Sequence, residues 1–200
     1  MNITSTMVKE LRVKTGAGMM DCKEALTASD ADFEKAIDYL RKKGMSAATK
    51  RSSKAAKDGI IASYIHMGGK IGVLAEVNCE TDFVAKTDDF QIFAKDVAMH
   101  IAAANPLYVR PEEIPDEVIE REKEIYRSQS LAEKKPEKIW DKIIDGKLKK
   151  YYEDVCLVNQ KFIKNTDITI ETLVNNMIAK TGENIVIRRL IRYQLGEELK

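Results

Sequence analysis

Apolar residues return at helical spacing three times within the first 44 residues. Met7, Val8 and Leu11 share one side of a helix predicted over about residues 4 to 14, and the glycines of Thr15-Gly-Ala-Gly18 close it. A second helix is predicted to begin near Met20. There Asp21 and Glu24 have the D-x-x-E spacing of a capping pair, and Cys22, Ala25 and Leu26 form the apolar side. The third pattern is the clearest: Phe33, Ala36, Ile37 and Leu40 fall at i, i+3, i+4 and i+7, with Asp32 placed to cap and Gly44 placed to end the helix. A three-helix bundle this small buries little surface and is marginal alone, a size suited to docking on a peptide or protein.

The pattern then changes. Lys42 to Lys57 holds six basic residues and no acid before Asp58, among Ser, Ala and Thr. It reads as a solvated, partly helical linker; the alternative is a nucleic-acid patch, although no aromatic residue lies among the charges to stack on bases. From Gly59 apolar residues alternate. "GIIASYIHM" and "KIGVLAEVNC" flank Gly68-Gly69, the signal of a two-residue hairpin. Ile71, Val73, Ala75, Val77 and Cys79 share one strand face, and Gly72, Glu76 and Asn78 the other. Helical spacing returns over about Asp88 to Ala104, where Phe90, Phe93, Ala94, Val97, Ala98, Ile101 and Ala102 form a stripe that Asn105-Pro106 stops.

Two more helices are predicted over residues 111 to 150. The first has Glu112, Glu113, Asp116 and Glu117 at its start, and the second opens at Pro136 and carries Ile139, Trp140, Ile143 and Ile144. A helix over about Ile170 to Lys180 ends at Gly182, and a last strand places Ile185, Ile187, Ile191, Tyr193 and Leu195 on one face. The predicted class is α+β. The predicted organisation is a helical bundle over residues 1–44, a basic linker over 45–58, and a small antiparallel sheet packed with helices over 59–200.

Composition narrows the function. With 44% hydrophobic and 32% charged residues the chain suits a soluble globular protein. Basic and acidic residues balance at 33 and 32, which argues against nucleic acid as a direct partner. No apolar run reaches the roughly 18 residues of a membrane span, and "MNITSTMVKELRVK" lacks the form of a secretory signal. Cys22, Cys79 and Cys156 are an odd number, far apart, as expected of reduced, buried thiols in a cytoplasmic protein.

Catalytic chemistry leaves few traces. Only His66 and His100 are histidines, and no zinc motif or P-loop is present; Gly68-Gly69-Lys70 fits a hairpin turn better than a phosphate cradle. A thiol–imidazole pair of Cys79 and His66 is conceivable across the hairpin, but Cys79 falls on the apolar alternation. Glu80 and Asp82 fit a solvated turn. Binding groups remain: Met19 and Met20 form an adjacent apolar pair, at least one of them expected in the bundle core, and His100 sits at the edge of its helix's apolar stripe, expected to be half-buried. Phe83, in "NCETDFVAK", is left undecided by alternation between a core ring and an exposed one.

The stretches "VKELRVKTGAGMMDCKEAL" (Val8 to Leu26) and "VNCETDFVAK" (Val77 to Lys86) closely resemble the elongation factor Ts family. So do "AMHIAAANP" (Ala98 to Pro106) and "GENIVIRRLIRYQLGE" (Gly182 to Glu197), in the right order and over essentially the whole chain. The resemblance implies a translation factor, a guanine-nucleotide exchange factor without covalent chemistry, cofactor or metal. It would bind the GDP form of elongation factor Tu, displace Mg²⁺ and GDP, and let GTP rebind. It implies a ubiquitin-associated-like bundle that docks through positions matching Arg12, Met19, Met20 and Lys23. It further implies that Thr81, Asp82, Phe83 and Val84 insert beside the partner's nucleotide site, and that His100, in the family's His-x-Ala-Ala element, contacts another domain of the partner. On this resemblance Phe83 is an exposed ring. Longer family members carry two core copies and a helical hairpin insertion; this chain has room for one, which implies the short form and a homodimer. The competing classes are a ubiquitin-associated-like adaptor without exchange activity and a cysteine-dependent enzyme resting on Cys79 or Cys22.

Overall fold

A helix begins where a side chain can take up the unpaired N–H groups of its first turn. A computed structural model, which describes residues 3–198, shows this at Thr4, whose hydroxyl accepts from Met7 N–H at the start of α1 (Ser5–Thr15). Asp32 likewise accepts from Lys35 N–H at the start of α3 (Phe33–Arg51). Helix α2 (Met19–Ala28) departs from expectation: its cap is Gly18, with no side-chain hydrogen bond, and Asp21 lies in the first turn. The expected Asp21–Glu24 capping pair is not formed, because the helix starts before it. Both carboxylates instead hold Lys43 of α3, at 2.8 and 2.6 Å. Val8, Leu11, Cys22, Ala25, Leu26 and Ala36 form the buried centre of the bundle.

Gly44 does not end α3. The helix runs on to Arg51, through most of the basic stretch expected as linker. Gly44 is buried, and a Cβ there would stand 3.8 Å from the Asn175 carbonyl and 4.0 Å from the Ala179 Cβ of α8 (Ile170–Thr181). Both are ordinary van der Waals distances, so Gly44 is an interior position of α3 facing α8 where a small side chain would also fit.

The chain divides into two compact units. One holds the described residues up to Ala62 with Ala75–Asp96 and Glu171–Arg188; the other holds Ser63–Leu74, Val97–Ile170 and the described residues from Arg189 onward. A three-stranded sheet has the order β1 (Asp58–Ile65), β2 (Ile71–Cys79), β5 (Val186–Gln194). Strands β1 and β2 are joined by a four-residue loop rather than the expected two-residue turn: His66 N–H donates to Ile71 across Met67–Lys70, with Gly68 and Gly69 both at positive φ. Val73, Ala75, Val77 and Cys79 are buried, as alternation predicts. On β5 the pattern breaks. Ile187 is buried, but Ile191, Tyr193 and Leu195 are exposed, so the apolar face expected to lie in the core does so only at its beginning.

Helix α5 (Asp88–Ala104) buries its whole predicted stripe, and Asn105, in the left-handed region before Pro106, stops it. In the second unit α6 (Asp116–Ala132) and α7 (Trp140–Val155) form the expected helix pair, with Pro136 opening a 3-10 turn ahead of α7. Of the four apolar residues expected to line α7, Ile144 alone is buried, joined by Leu148. A short hairpin, β3 (Lys161–Phe162) and β4 (Asn165–Thr169), was not expected, since β3 has two residues and β4 carries a single large apolar residue, Ile168, and so shows no alternation. The class is α+β with an N-terminal helical bundle.

Candidate partner-binding site around Phe83

The buried face of β2 ends at Cys79, and the chain must then turn. The Cys79 thiol donates to the Thr81 carbonyl at 3.0 Å. Burial pushes its pKa up to about 11, helped by the Glu183 and Asp58 carboxylates, so it stays a protonated donor and a poor nucleophile. Thr81 caps a one-turn helix, α4 (Asp82–Ala85), its hydroxyl accepting from Val84 N–H at 3.4 Å. That hydroxyl also donates to Glu183 Oε1 at 2.6 Å. The other oxygen, Glu183 Oε2, accepts the backbone N–H groups of Glu80 and Thr81, each at 3.1 Å. In return Glu80 Oε1 accepts Asn184 N–H at 2.7 Å and lies 3.6 Å from the Arg51 guanidinium, while the Asn184 amide donates to the Lys54 carbonyl at 2.7 Å.

The far end of α4 is tied as firmly. Thr87 Oγ1 donates to the Val84 carbonyl and Gln91 Nε2 to that of Ala85, both at 2.7 Å, which satisfies acceptors a one-turn helix leaves open. Val84 and Ala85 turn into the core, and Phe83 turns out, with 81% of its surface exposed. Of the expected Thr81–Val84 contact set, Val84 therefore faces inward and holds the platform. Asp82 is exposed and ion-paired with Lys86, one turn on, whose ammonium holds its carboxyl below the usual range. A phenylalanine left in water forgoes roughly 1.5–3 kcal/mol of burial. Here the forfeit falls on a turn that hydrogen bonds hold at both ends.

On the bundle, Arg12 and Lys23 are exposed, and so are Met19 at 49% and Met20 at 74%. The expectation that one methionine enters the bundle core is not met: Leu11, Cys22 and Leu26 are fully buried and occupy the centre. Val13, in the last turn of α1, is 87% exposed and was not singled out from sequence, since a lone exposed aliphatic breaks no pattern. Three residues separate α1 from α2, so Arg12 and Val13 precede this turn and Met19, Met20 and Lys23 follow it.

His100 corrects its expectation. The ring has no exposed surface. Ile163 N–H donates to Nδ1 at 3.3 Å, which leaves Nε2 to carry the hydrogen and donate to Gln160 Oε1 at 3.1 Å. Both nitrogens are used inside the second unit, and burial lowers the pKa against the weaker opposing pull of Gln160. A ring so enclosed offers no surface in this fold. The helical pattern misplaced it because β3, the hairpin strand that covers it, was not expected.

The family model for Elongation factor TS matches residues 2–197. The chain is 82% identical over 200 residues to "Elongation factor Ts" of Syntrophus aciditrophicus (strain SB), covering all of both chains. It is 57% identical over 197 residues to "Elongation factor Ts" of Heliobacterium modesticaldum (strain ATCC 51547 / Ice1), with 98% of this chain and 92% of that protein covered. It is 58% identical over 195 residues to that of Desulfosudis oleivorans (strain DSM 6200 / JCM 39069 / Hxd3), covering 98% of each. The chain belongs to the elongation factor Ts family. Its function is that of a translation elongation factor, and its length fits the family's single-core form. No helix among the described residues is long and apolar enough to cross a membrane.

Within this elongation factor Ts fold, sequence reasoning missed Glu183 and Asn184. A signal was present: Gly182, in the left-handed region with its N–H on the Ile178 carbonyl, ends α8 and fixes where the next two side chains point. Their target, about a hundred residues earlier, was not readable.

His100 gives a test of the enclosure. With its pKa lowered in the fold, the unfolded chain binds a proton that the native state refuses as pH falls below about 6.5, so stability is lost on acidification. Thermal melts at pH 7.5 and 5.5 are expected to show a smaller loss for His100→Asn than for the parent. Equal losses would show that the ring protonates as freely in the fold as in the unfolded chain.

Proposed function

We propose that this protein is a guanine-nucleotide exchange factor for elongation factor Tu, with no covalent chemistry of its own. The observation that carries the proposal is Phe83, a mostly exposed aromatic ring on a turn whose flanking residues are tied to the fold. An exchange factor must bind the empty GTPase more tightly than the GDP form, and that difference equals its effect on GDP affinity. Bound Mg²⁺ needs near-ideal octahedral geometry, so displacing its supports by about an ångström weakens the site. A rigid ring entering a pocket recovers its forgone burial and can offset that distortion, provided its base does not yield. Asp82, beside the ring, offers a carboxylate to a helix N-terminus of the partner.

On this reading Arg12, Met19, Met20 and Lys23, with Val13, form the docking surface of the bundle, and Thr81, Asp82 and Phe83 the part that disturbs the nucleotide site. An adaptor without exchange activity accounts for the methionines but leaves Phe83 without a task. The partner is a protein rather than nucleic acid, in keeping with the balanced charge. The site of action is the cytoplasm, where translation takes place.

We also propose a homodimer. In the second unit Ile65, Leu74, Ile191, Tyr193 and Leu195 are exposed on strands β1 and β2 and along β5 and its end. An apolar sheet surface of this kind is stable in water when a second copy covers it.

The ring is tested by release of a fluorescent GDP analogue from elongation factor Tu. Phe83→Ala is expected to lower the stimulated rate at least about tenfold, about the 1.4 kcal/mol that part of the ring's burial supplies, while the thermal melt hardly moves. An undiminished rate rules the ring out. In the same titration Met19→Ala/Met20→Ala is expected to raise the half-saturating concentration about tenfold or more at an unchanged maximal rate, the mark of lost ground-state binding. A parental half-saturating concentration removes the bundle from the docking surface. The dimer is read by light scattering: the parent is expected at twice the 22.6 kDa of one chain and Tyr193→Asp at that single mass. A parent of single mass ends the dimer proposal.

A further inference from the structure

We propose that Glu183 is a positioning residue for Phe83: its carboxylate sets the exposed ring in the orientation that accelerates nucleotide release. The inference rests on the exchange reading above and assigns it a residue outside the Thr81–Val84 turn. Strand β2 ends at Cys79, and the next two backbone N–H groups, of Glu80 and Thr81, converge on Glu183 Oε2 at 3.1 Å each. Thr81 Oγ1 donates to Oε1 at 2.6 Å, so one carboxylate receives three hydrogen bonds from the two residues that precede α4. Hydrogen bonds to an ionised acceptor are the strong ones, and three together leave the turn little freedom.

Glu183 is itself held. Its N–H donates to Thr181 Oγ1 at 3.3 Å, Thr181 Oγ1 donates to the Met177 carbonyl at 2.9 Å, and Gly182 closes the end of α8. Helix α8 is joined to α5 by Lys180 and Asp89 at 2.7 Å. Beside it Glu80 reaches Asn184 N–H and Arg51, and Asn184 reaches Lys54, so the end of α3 enters the same network. The helix that begins in the docking bundle is thus bonded to the base of the ring. Without this network a ring on a single turn of helix yields when pressed into a pocket, and its binding then distorts nothing.

The test is a double-mutant cycle on stimulated release of fluorescent GDP from elongation factor Tu, using the full chain. Glu183→Ala is expected to lower the maximal rate about tenfold to a hundredfold, the scale of an ångström misplacement, and to move the half-saturating concentration less than about twofold. In a Phe83→Ala background it is expected to cost nothing further, because the group it positions is gone. Glu183→Gln is expected to keep most of the rate: the amide oxygen retains the two N–H bonds and the Thr81 hydroxyl rotates to accept from the amide. Should Glu183→Ala fail to fold, Glu183→Asp, whose shorter side chain withdraws the carboxylate from the Glu80 and Thr81 N–H groups, is carried through the same cycle with the same expectation. A parental maximal rate for the Glu183 variant, or losses that multiply with that of Phe83→Ala, overturns the proposal. A parental rate for Phe83→Ala alone removes the ring's role, and this proposal with it; a parent that does not stimulate release removes the exchange reading.

Discussion

Where β2 ends, two consecutive backbone N–H groups lose the strand and need acceptors, and the Glu183 carboxylate supplies one oxygen for both. Much of the candidate site depends on that acceptance. It fixes the backbone of Thr81, which lets the Thr81 hydroxyl cap α4; the cap sets the single turn, and the turn divides Phe83 from Val84, one outward and one inward. A one-turn helix has no cooperative length of its own and keeps its shape only by such external bonds. The geometry of the exposed ring is therefore a property of residues distant in sequence.

The same constraint explains the run of α3. A helix that stopped at Gly44 would leave Arg51 and Lys54 in a solvated linker. Because it continues, Arg51 stands beside Glu80 and the Lys54 carbonyl receives the Asn184 amide. The basic stretch supports the site through Arg51 and the Lys54 carbonyl, while Lys50 and Lys57 are exposed.

In the second unit a histidine plays the structural counterpart. His100 is enclosed by Phe162, Gln160 and the backbone of Ile163, and its two nitrogens bond the residues on either side of β3 to α5. Its tautomer follows from the backbone N–H that Nδ1 must accept.

Periodicity alone specified that the bundle helices exist, the extent of α5, the pairing of β1 with β2 and the α+β class, because those features follow from local spacing. Resemblance of "NCETDFVAK" and its companion stretches implied what spacing could not, an exposed Phe83, and the ring is exposed in the fold. Tertiary structure decided the rest. Gly44 became a buried interior position of α3 instead of a stop, Met19 and Met20 stayed outside the bundle core, and the β5 face emerged into water after Ile187. Glu183 acquired its role only by lying beside a turn about a hundred residues away. In each case the deciding quantity was which groups meet across the fold, and no local pattern of apolar and polar residues encodes that.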